Sequence, residues 1–143
     1  MAGDAIRTER AERRQVAALP WRRGEDGPEI LLVTSRETRR WVTPKGGRMP
    51  GKTDAEAAAI EALEEAGVEG RVQDEALGTF RYLKVLKRRA PRWCVVAVYP
   101  LEVTTVHADW KEKGQRDRLW MSLEQAAACV GEADLAEIIR EFR

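Results

Sequence analysis

The sequence predicts an α/β protein in which one mixed β-sheet is covered by helices on both faces. Three observations support this fold class: short strand-like runs dominate the chain, one helix follows a glycine-rich loop, and two helical segments come last. The chain of 143 residues is long enough to bury one core but not two. We therefore expect a flexible charged leader over residues 1–13 and a single domain over residues 14–143.

Strand predictions follow runs of β-branched and aromatic residues that are bounded by turn residues. The predicted strands cover residues 15–21, 29–35, 41–43, 70–72, 78–85, 92–103 and 119–121. The third strand leads into a loop over residues 45–52, and the two long strands flank the basic turn LKRRAP as a hairpin. Residues 107–117 are predicted as an irregular polar connection. Trp93 and Trp120 lie in apolar strand patterns, so we expect both in the core.

The first predicted helix covers residues 54–66. Thr53 and Glu56 form the T-x-x-E pattern of a capping box at its start, and Gly67 is placed for a left-handed C-cap. Its apolar stripe is predicted to contain Ala59, Ala62, Leu63 and Ala66. Ser122 is predicted to cap a second helix that runs to about residue 130, and a final amphipathic helix is predicted over residues 133–142.

Three glutamates on the first helix carry the strongest chemical signal. At ~100° per residue, Glu61, Glu64 and Glu65 share one narrow sector of the helix. Like charges at this spacing destabilise a helix by roughly 0.2–0.5 kcal/mol per pair. A divalent cation that prefers oxygen ligands would relieve this repulsion, and Mg²⁺ or Mn²⁺ are the natural candidates. A solvated acidic helix face is the alternative interpretation of the three glutamates alone.

The segment GGRMPGKTDAEAAAIEALEEAGV resembles the signature of the Nudix hydrolase family. The positions that match the signature are Gly46, Glu61, Glu64, Glu65, Gly67 and Val68. Two positions depart from it, because Lys52 stands where the family has a glutamate and Ile60 where it has an arginine. The resemblance implies an alpha/beta/alpha sandwich and metal-dependent hydrolysis of a diphosphate that is linked to another group. The three glutamates would be metal ligands and catalytic groups, and the sequence does not choose the base among them.

The resemblance extends to the diphosphoinositol polyphosphate phosphohydrolase branch over roughly residues 14 to 130. The stretches that carry it are RRQVAALPWRR, EILLVTSRETRRWVTPKGG and VTTVHADWKEKGQRDRLWMSLEQA. Enzymes of that branch cleave diphosphoinositol polyphosphates and dinucleoside polyphosphates. By resemblance, the residues that contact polyphosphate are Arg22, Ser35, Arg36, Lys45, Gly46, Gly47 and Arg116. Arginine forks suit phosphate oxygens, although surface charge is an equally good interpretation of any single arginine.

Two other functions compete with the hydrolase. The run GGRMPGKT satisfies the P-loop pattern and would cradle phosphates on backbone N–H groups. A P-loop ordinarily follows a buried apolar strand, whereas the preceding RRWVTPK is short, charged and broken by Pro44. The second alternative is a Nudix-fold module that binds a ligand without turnover, and the departures at Lys52 and Ile60 motivate it.

Composition narrows the expected partners. The 25 basic and 24 acidic residues nearly cancel, so bulk attraction to nucleic acid or to an anionic membrane is not implied. No apolar run approaches the ~20 residues that a membrane span needs, and MAGDAIRTERAERR lacks the apolar centre of a secretory signal. The two lone thiols, Cys94 and Cys129, indicate a reducing compartment. We expect a cytoplasmic protein whose partner is a polyphosphorylated small molecule, and the sequence leaves the oligomeric state open.

Overall fold

Eight strands form one sheet in the computed structural model, which describes residues 12–143. The strands are β1 (Arg13–Gly24), β2 (Gly27–Thr34), β3 (Trp41–Val42), β4 (Lys45–Gly47), β5 (Val68–Val72), β6 (Gly78–Leu86), β7 (Arg89–Val106) and β8 (Arg118–Ser122). The helices of the described region are α1 (Asp54–Ala66), α2 (Leu123–Cys129) and α3 (Ala133–Glu141). None of these helices is long and apolar enough to span a membrane.

The sheet is mixed, as predicted. Its central path runs β3-β2-β1-β7-β5, while β4 pairs with β1, β6 with β7 and β8 with β2. The long strands β1 and β7 lie parallel, with Arg13 opposite Cys94 and Trp21 opposite Glu102. The other pairs are antiparallel. This arrangement places the start of β1, strand β4 and the loop after β2 close to the second half of β6, where the candidate site lies.

Alternation along β1 divides the core into two layers. Val16 and Ala18 face the layer that packs against α1, and Ala17 and Leu19 face the layer under α2 and α3. Both layers are closed by small or aliphatic side chains from the helices, so each face of the sheet is covered. The α/β sandwich predicted from the order of elements is therefore confirmed.

Helix α1 has the predicted bounds, but it is rotated relative to the predicted stripe. The capping box at Thr53 is present and Gly67 closes the helix with φ 68°, as expected. Its buried positions are Ala55, Ala57, Ala58, Ala62, Glu65 and Ala66. Ala59 and Leu63, two members of the predicted apolar stripe, are only half-buried. The rotation turns one of the three glutamates, Glu65, towards the sheet.

The remaining differences concern strand lengths and one loop. Residues 45–47 were predicted as the start of a loop, but they form β4 because Lys45, Gly46 and Gly47 pair with β1. The hairpin between β6 and β7 is confirmed, yet Trp93 is 46% exposed and its predicted core position is wrong. The exposure of Trp93 follows from the length of β1. Strand β1 starts to pair with β7 at Cys94, so among residues 12–143 no strand other than β6 pairs with β7 at Trp93. The predicted leader falls on residues 1–11, outside the described region, and on the first two described residues.

Candidate active site

The candidate site begins where α1 meets β4. The carboxyl group of Glu61 lies directly against the Cα atom of Gly46, so that a Cβ atom at this position would meet the carboxylate. One residue earlier, the backbone N–H of Lys45 donates to Glu65 Oε1 at 3.3 Å. A side chain at position 46 would therefore displace the Glu61 carboxyl group, because the strand passes close to the end of that side chain. The glycine-rich loop thus brings β4 onto two of the three predicted glutamates.

The carboxyl groups of Glu61 and Glu65 are neighbours, and each influences the pKa of the other. The Glu65 residue is only 6% exposed. Burial raises the pKa of Glu65 to about 8, and the Arg116 guanidinium opposes this increase. Burial also raises the pKa of Glu61. Two neighbouring carboxylates, one of them buried, cannot both ionise easily, so in the absence of a cation the pair holds a proton near neutral pH.

Glu64 lies outside this pair. Its carboxylate is half-buried and is 3.5 Å from the Lys111 ammonium group. Within residues 12–143, no group of three or more His, Cys, Asp or Glu side chains is arranged as a ready metal site. The predicted trio is therefore brought together only in part. The Glu61–Glu65 pair nevertheless fits a hard divalent cation, because it offers carboxylate oxygens whose mutual repulsion a bound cation would relieve.

A second charged group faces the pair from the segment between β7 and β8. Arg116 is 10% exposed at its side chain and lies 3.8 Å from Glu65 Oε1. Its Nε donates to Glu112 Oε1 at 2.7 Å, and its Nη1 donates to the carbonyl of Thr34 at 3.1 Å. Glu112 was not predicted as a site residue, although its spacing of four residues from Arg116 was a visible signal. The structure thus adds a fourth acid to the edge of the site.

Most of the predicted substrate-binding residues line one cavity of about 790 Å³. They are Ser35, Arg36, Lys45, Gly46, Gly47 and Arg116, and Glu65 forms part of the same wall. The wall contains eight Lys or Arg residues and two Glu residues, which favours a polyanionic ligand. Burial lowers the pKa of Lys45, although Glu65 opposes the shift. Arg13, Arg14 and Lys84 also line this cavity and were not predicted.

Arg22 is the predicted residue that the structure does not bring to this cavity. It lines a different cavity of about 670 Å³ at the turn between β1 and β2. Its Nε contacts Glu29 Oε1 at 2.7 Å, and its guanidinium carbon lies 4.1 Å from the centre of the Trp120 ring. Arg22 is thus engaged in an ion pair and a cation–π contact away from the carboxyl pair.

The P-loop alternative does not agree with this geometry. Gly46 lies in a short strand that is antiparallel to β1, whereas a P-loop connects a buried parallel strand to a helix. The start of α1 is capped by its own residues, since Thr53 Oγ1 accepts from Glu56 N at 3.1 Å and Glu56 Oε1 accepts from Thr53 N at 2.8 Å. The match to the pattern is therefore explained by the capping box.

Comparison with known proteins defines the class. The family model described as NUDIX domain matches residues 12–142, and the chain belongs to this family. It is 34% identical over 117 residues to Nudix hydrolase 12, mitochondrial, of Arabidopsis thaliana, covering 80% of this chain and 58% of the relative. It is 37% identical over 107 residues to human diphosphoinositol polyphosphate phosphohydrolase 3-beta, covering 73% of this chain and 61% of the relative. The chain thus spans about three-fifths of the length of these relatives.

Solved structures confirm the fold. The crystal structure of C. elegans Ap4A hydrolase superimposes with a TM-score of 0.62 at 20% identity, covering 89% of this chain and 92% of the other. A NUDIX hydrolase from Nitrosomonas europaea gives a TM-score of 0.68 at 18% identity, covering 90% and 86%. The Nudix-type sandwich and the resemblance to the diphosphoinositol polyphosphate phosphohydrolase branch are both confirmed. Both cysteines are free thiols, Cys94 buried and Cys129 exposed. The cytoplasmic location that the sequence analysis inferred from lone thiols stays a prediction.

Proposed function

We propose that this chain is a divalent-metal-dependent pyrophosphohydrolase that cleaves a diphosphate linkage in a polyphosphorylated small molecule. The observation that carries the proposal is the buried Glu65 carboxyl group, which lies beside Glu61 and forms part of the wall of a cavity rich in Lys and Arg side chains. The names of the matched relatives favour a diphosphoinositol polyphosphate or a dinucleoside polyphosphate as substrate. Mg²⁺ is the proposed ion and Mn²⁺ the alternative, because both prefer carboxylate oxygens.

The charged residues of the candidate site form an acidic group and a basic group. Glu61 and Glu65 would hold the cation, and Glu64 directly precedes Glu65 on the same helix. A bound divalent cation neutralises diphosphate oxygens and acidifies the attacking water. Glu65 accepts a hydrogen bond from the backbone of Lys45, so its carboxylate is held in place whether or not it carries the proton. A carboxylate of the pair, ionised when the cation is bound, would accept the proton from the attacking water.

The Lys and Arg side chains of the cavity would bind the phosphates that are not cleaved. Arg36 and Lys45 lie on the same wall as Glu65, so a phosphate chain that reaches the carboxyl pair also reaches them. Arg116 contacts Glu65 and would bridge the carboxyl pair and the ligand. Guanidinium groups suit this role because they contact two phosphate oxygens at once.

The competing function is a binding module that has lost turnover. Two observations favour it: the departures at Lys52 and Ile60, and the absence from residues 12–143 of a ready three-ligand metal group. Phosphate release is measured with and without Mg²⁺ on a panel of inositol pyrophosphates and dinucleoside polyphosphates. The hydrolase predicts metal-dependent release that Glu65→Gln reduces by at least ~10²-fold, while Glu137→Gln on the exposed face of α3 has no effect. Tight ligand binding without release by the wild-type chain would establish the module instead.

A further inference from the structure

The segment of residues 107–117 is bound to the C-terminal end of α1 by its backbone. The N–H of His107 donates to the carbonyl of Gly67 at 2.8 Å, and the N–H of Glu112 donates to the carbonyl of Glu64 at 3.1 Å. The segment therefore follows the helix end from its first residue to the acid that contacts Arg116. Its position relative to the Glu61–Glu65 pair depends on these contacts.

Two side chains complete this attachment. The Trp110 indole N–H donates to the carbonyl of Glu65 at 3.1 Å. The Arg118 guanidinium lies 3.8 Å from the centre of the Trp110 ring, and its Nη1 donates to the carbonyl of Ala66 at 2.8 Å. Its Nη2 donates to the carbonyl of His107 at 2.7 Å. Arg118 thus bridges the helix end and the start of the segment, with the tryptophan ring beneath it.

These contacts account for every carbonyl that the helix end leaves free. An α-helix has four C-terminal carbonyls without an intrahelical partner. In α1 the carbonyl of Leu63 accepts from the Gly67 N–H. The next three accept from the Glu112 N–H, the Trp110 indole and the Arg118 guanidinium in turn. Since buried carbonyls without partners are costly, the segment is the partner that this helix end requires.

We propose that Trp110 is a positioning residue that sets the place of Arg116 at the carboxyl pair. Trp110 fixes the segment on the helix, the segment holds Glu112, and Glu112 orients the Arg116 guanidinium through its contact of 2.7 Å. This inference rests on the proposed hydrolase function. The other side of Arg116 is held by the carbonyl of Thr34, so loss of the indole contact loosens the guanidinium without releasing it completely.

The glycine at the end of α1 supports this inference. Gly67 has φ 68°, a conformation that glycine adopts readily. In addition, a Cβ atom at Gly67 would lie 2.7 Å from the Trp110 ring and 2.8 Å from Arg118 Nη1. The chain therefore keeps room at the helix end for this tryptophan and arginine. Position 67 serves the attachment of the segment as well as the C-cap.

The test separates the indole N–H from the aromatic ring. Trp110→Phe keeps an aromatic ring under Arg118 and removes the donor to Glu65. We expect kcat/KM to fall by roughly 3- to 10-fold, the effect of one neutral hydrogen bond. We also expect the Glu112 amide to exchange with solvent ~10-fold faster in metal-free protein. Trp93→Phe is the matched control, since Trp93 also has an arginine over its ring but does not line the cavity or contact the end of α1.

A double-mutant cycle distinguishes positioning from a general loss of stability. If Trp110 acts through Arg116, adding Trp110→Phe to Arg116→Lys lowers kcat/KM by less than it does in the wild-type background. The same cycle with Trp93→Phe should show no coupling. Additive losses in the Trp110 cycle, or an unchanged exchange rate at the Glu112 amide, would overturn the proposal. Absence of turnover in the wild-type chain would refute the proposed function, and the exchange measurement alone would then decide the positioning.

Discussion

Gly46→Ala should damage the active site while leaving the fold nearly intact. The three atoms nearest to the Cβ atom of an alanine at this position would all belong to the carboxyl group of Glu61. The more distant carboxyl oxygen would be 2.8 Å away, whereas ordinary contact starts at 3.4 Å, so it must recede by 0.6 Å and the nearer oxygen by more. A glutamate carboxylate moves by rotation of its side chain, at a cost of about 0.5–1.5 kcal/mol if it leaves a preferred rotamer.

The catalytic effect should be much larger than the effect on stability. Displacement of a catalytic group by about 1 Å can reduce turnover by roughly 10²-fold. We therefore expect kcat/KM to fall by ~10²-fold, with a loss of no more than about 1.5 kcal/mol in the free energy of unfolding. Steady-state phosphate release in Mg²⁺ and urea denaturation of the same protein samples measure the two quantities.

The neighbouring glycine supplies the control. At Gly47 an added Cβ atom meets nothing within 4 Å, so Gly47→Ala places the same methyl group in β4 without touching Glu61. Its loss of kcat/KM should be clearly smaller than that of Gly46→Ala. If Gly46→Ala keeps its kcat/KM within about 3-fold of the wild type, the close approach of Glu61 to β4 does not matter for catalysis and the reasoning fails.

Three further predictions follow from the same geometry. In metal-free buffer the free energy of unfolding should fall as pH rises from about 4.5 to about 8, because the folded state holds the Glu65 proton longer than the unfolded state; Glu65→Gln should remove this slope in denaturation series across pH. Thr53→Ala should lower the free energy of unfolding by about 1 kcal/mol through loss of the capping box, and no loss in urea titrations would contradict the cap. Arg36→Ala should raise KM for a polyphosphorylated substrate more than Arg22→Ala does, because only Arg36 lines the cavity with Glu65; equal effects would show that ligand also reaches the second cavity.

Local signals were sufficient to predict most elements from the sequence. The bounds of α1 follow from Thr53 and Gly67, which act on the backbone of their own segment. The short strand β4 could not be seen, because its residues are Lys45 and two glycines and its strand character comes only from pairing with β1. The exposure of Trp93 was also hidden, since it depends on where the flanking strand begins. Pairing between distant strands decides both features, and this pairing cannot be inferred from the local pattern of a single sequence.

The candidate site was predicted to a similar extent. Six polyphosphate-binding positions inferred by resemblance share one cavity, which local sequence could not have established because they come from different elements. Glu112 and Trp110 were missed because they lie in an irregular segment whose path is set by the end of α1. The helix sector that holds Glu61, Glu64 and Glu65 was identified, but the sequence-based prediction assigned the same role to all three. The tertiary environment makes them different.

That difference is the physical basis of the proposed chemistry. Glu64 remains half-exposed beside Lys111, whereas Glu65 is turned into the sheet side of the helix and its pKa rises to about 8. A buried carboxylate at this position destabilises the fold unless a proton, the nearby Arg116 or a cation compensates its charge. Because the proton is held near neutral pH, a divalent cation must displace it, and binding of the ion is thereby coupled to ionisation of the same group. The helix rotation that the sequence pattern did not predict therefore buries Glu65 beside Glu61, and the hydrolase proposal depends on this burial.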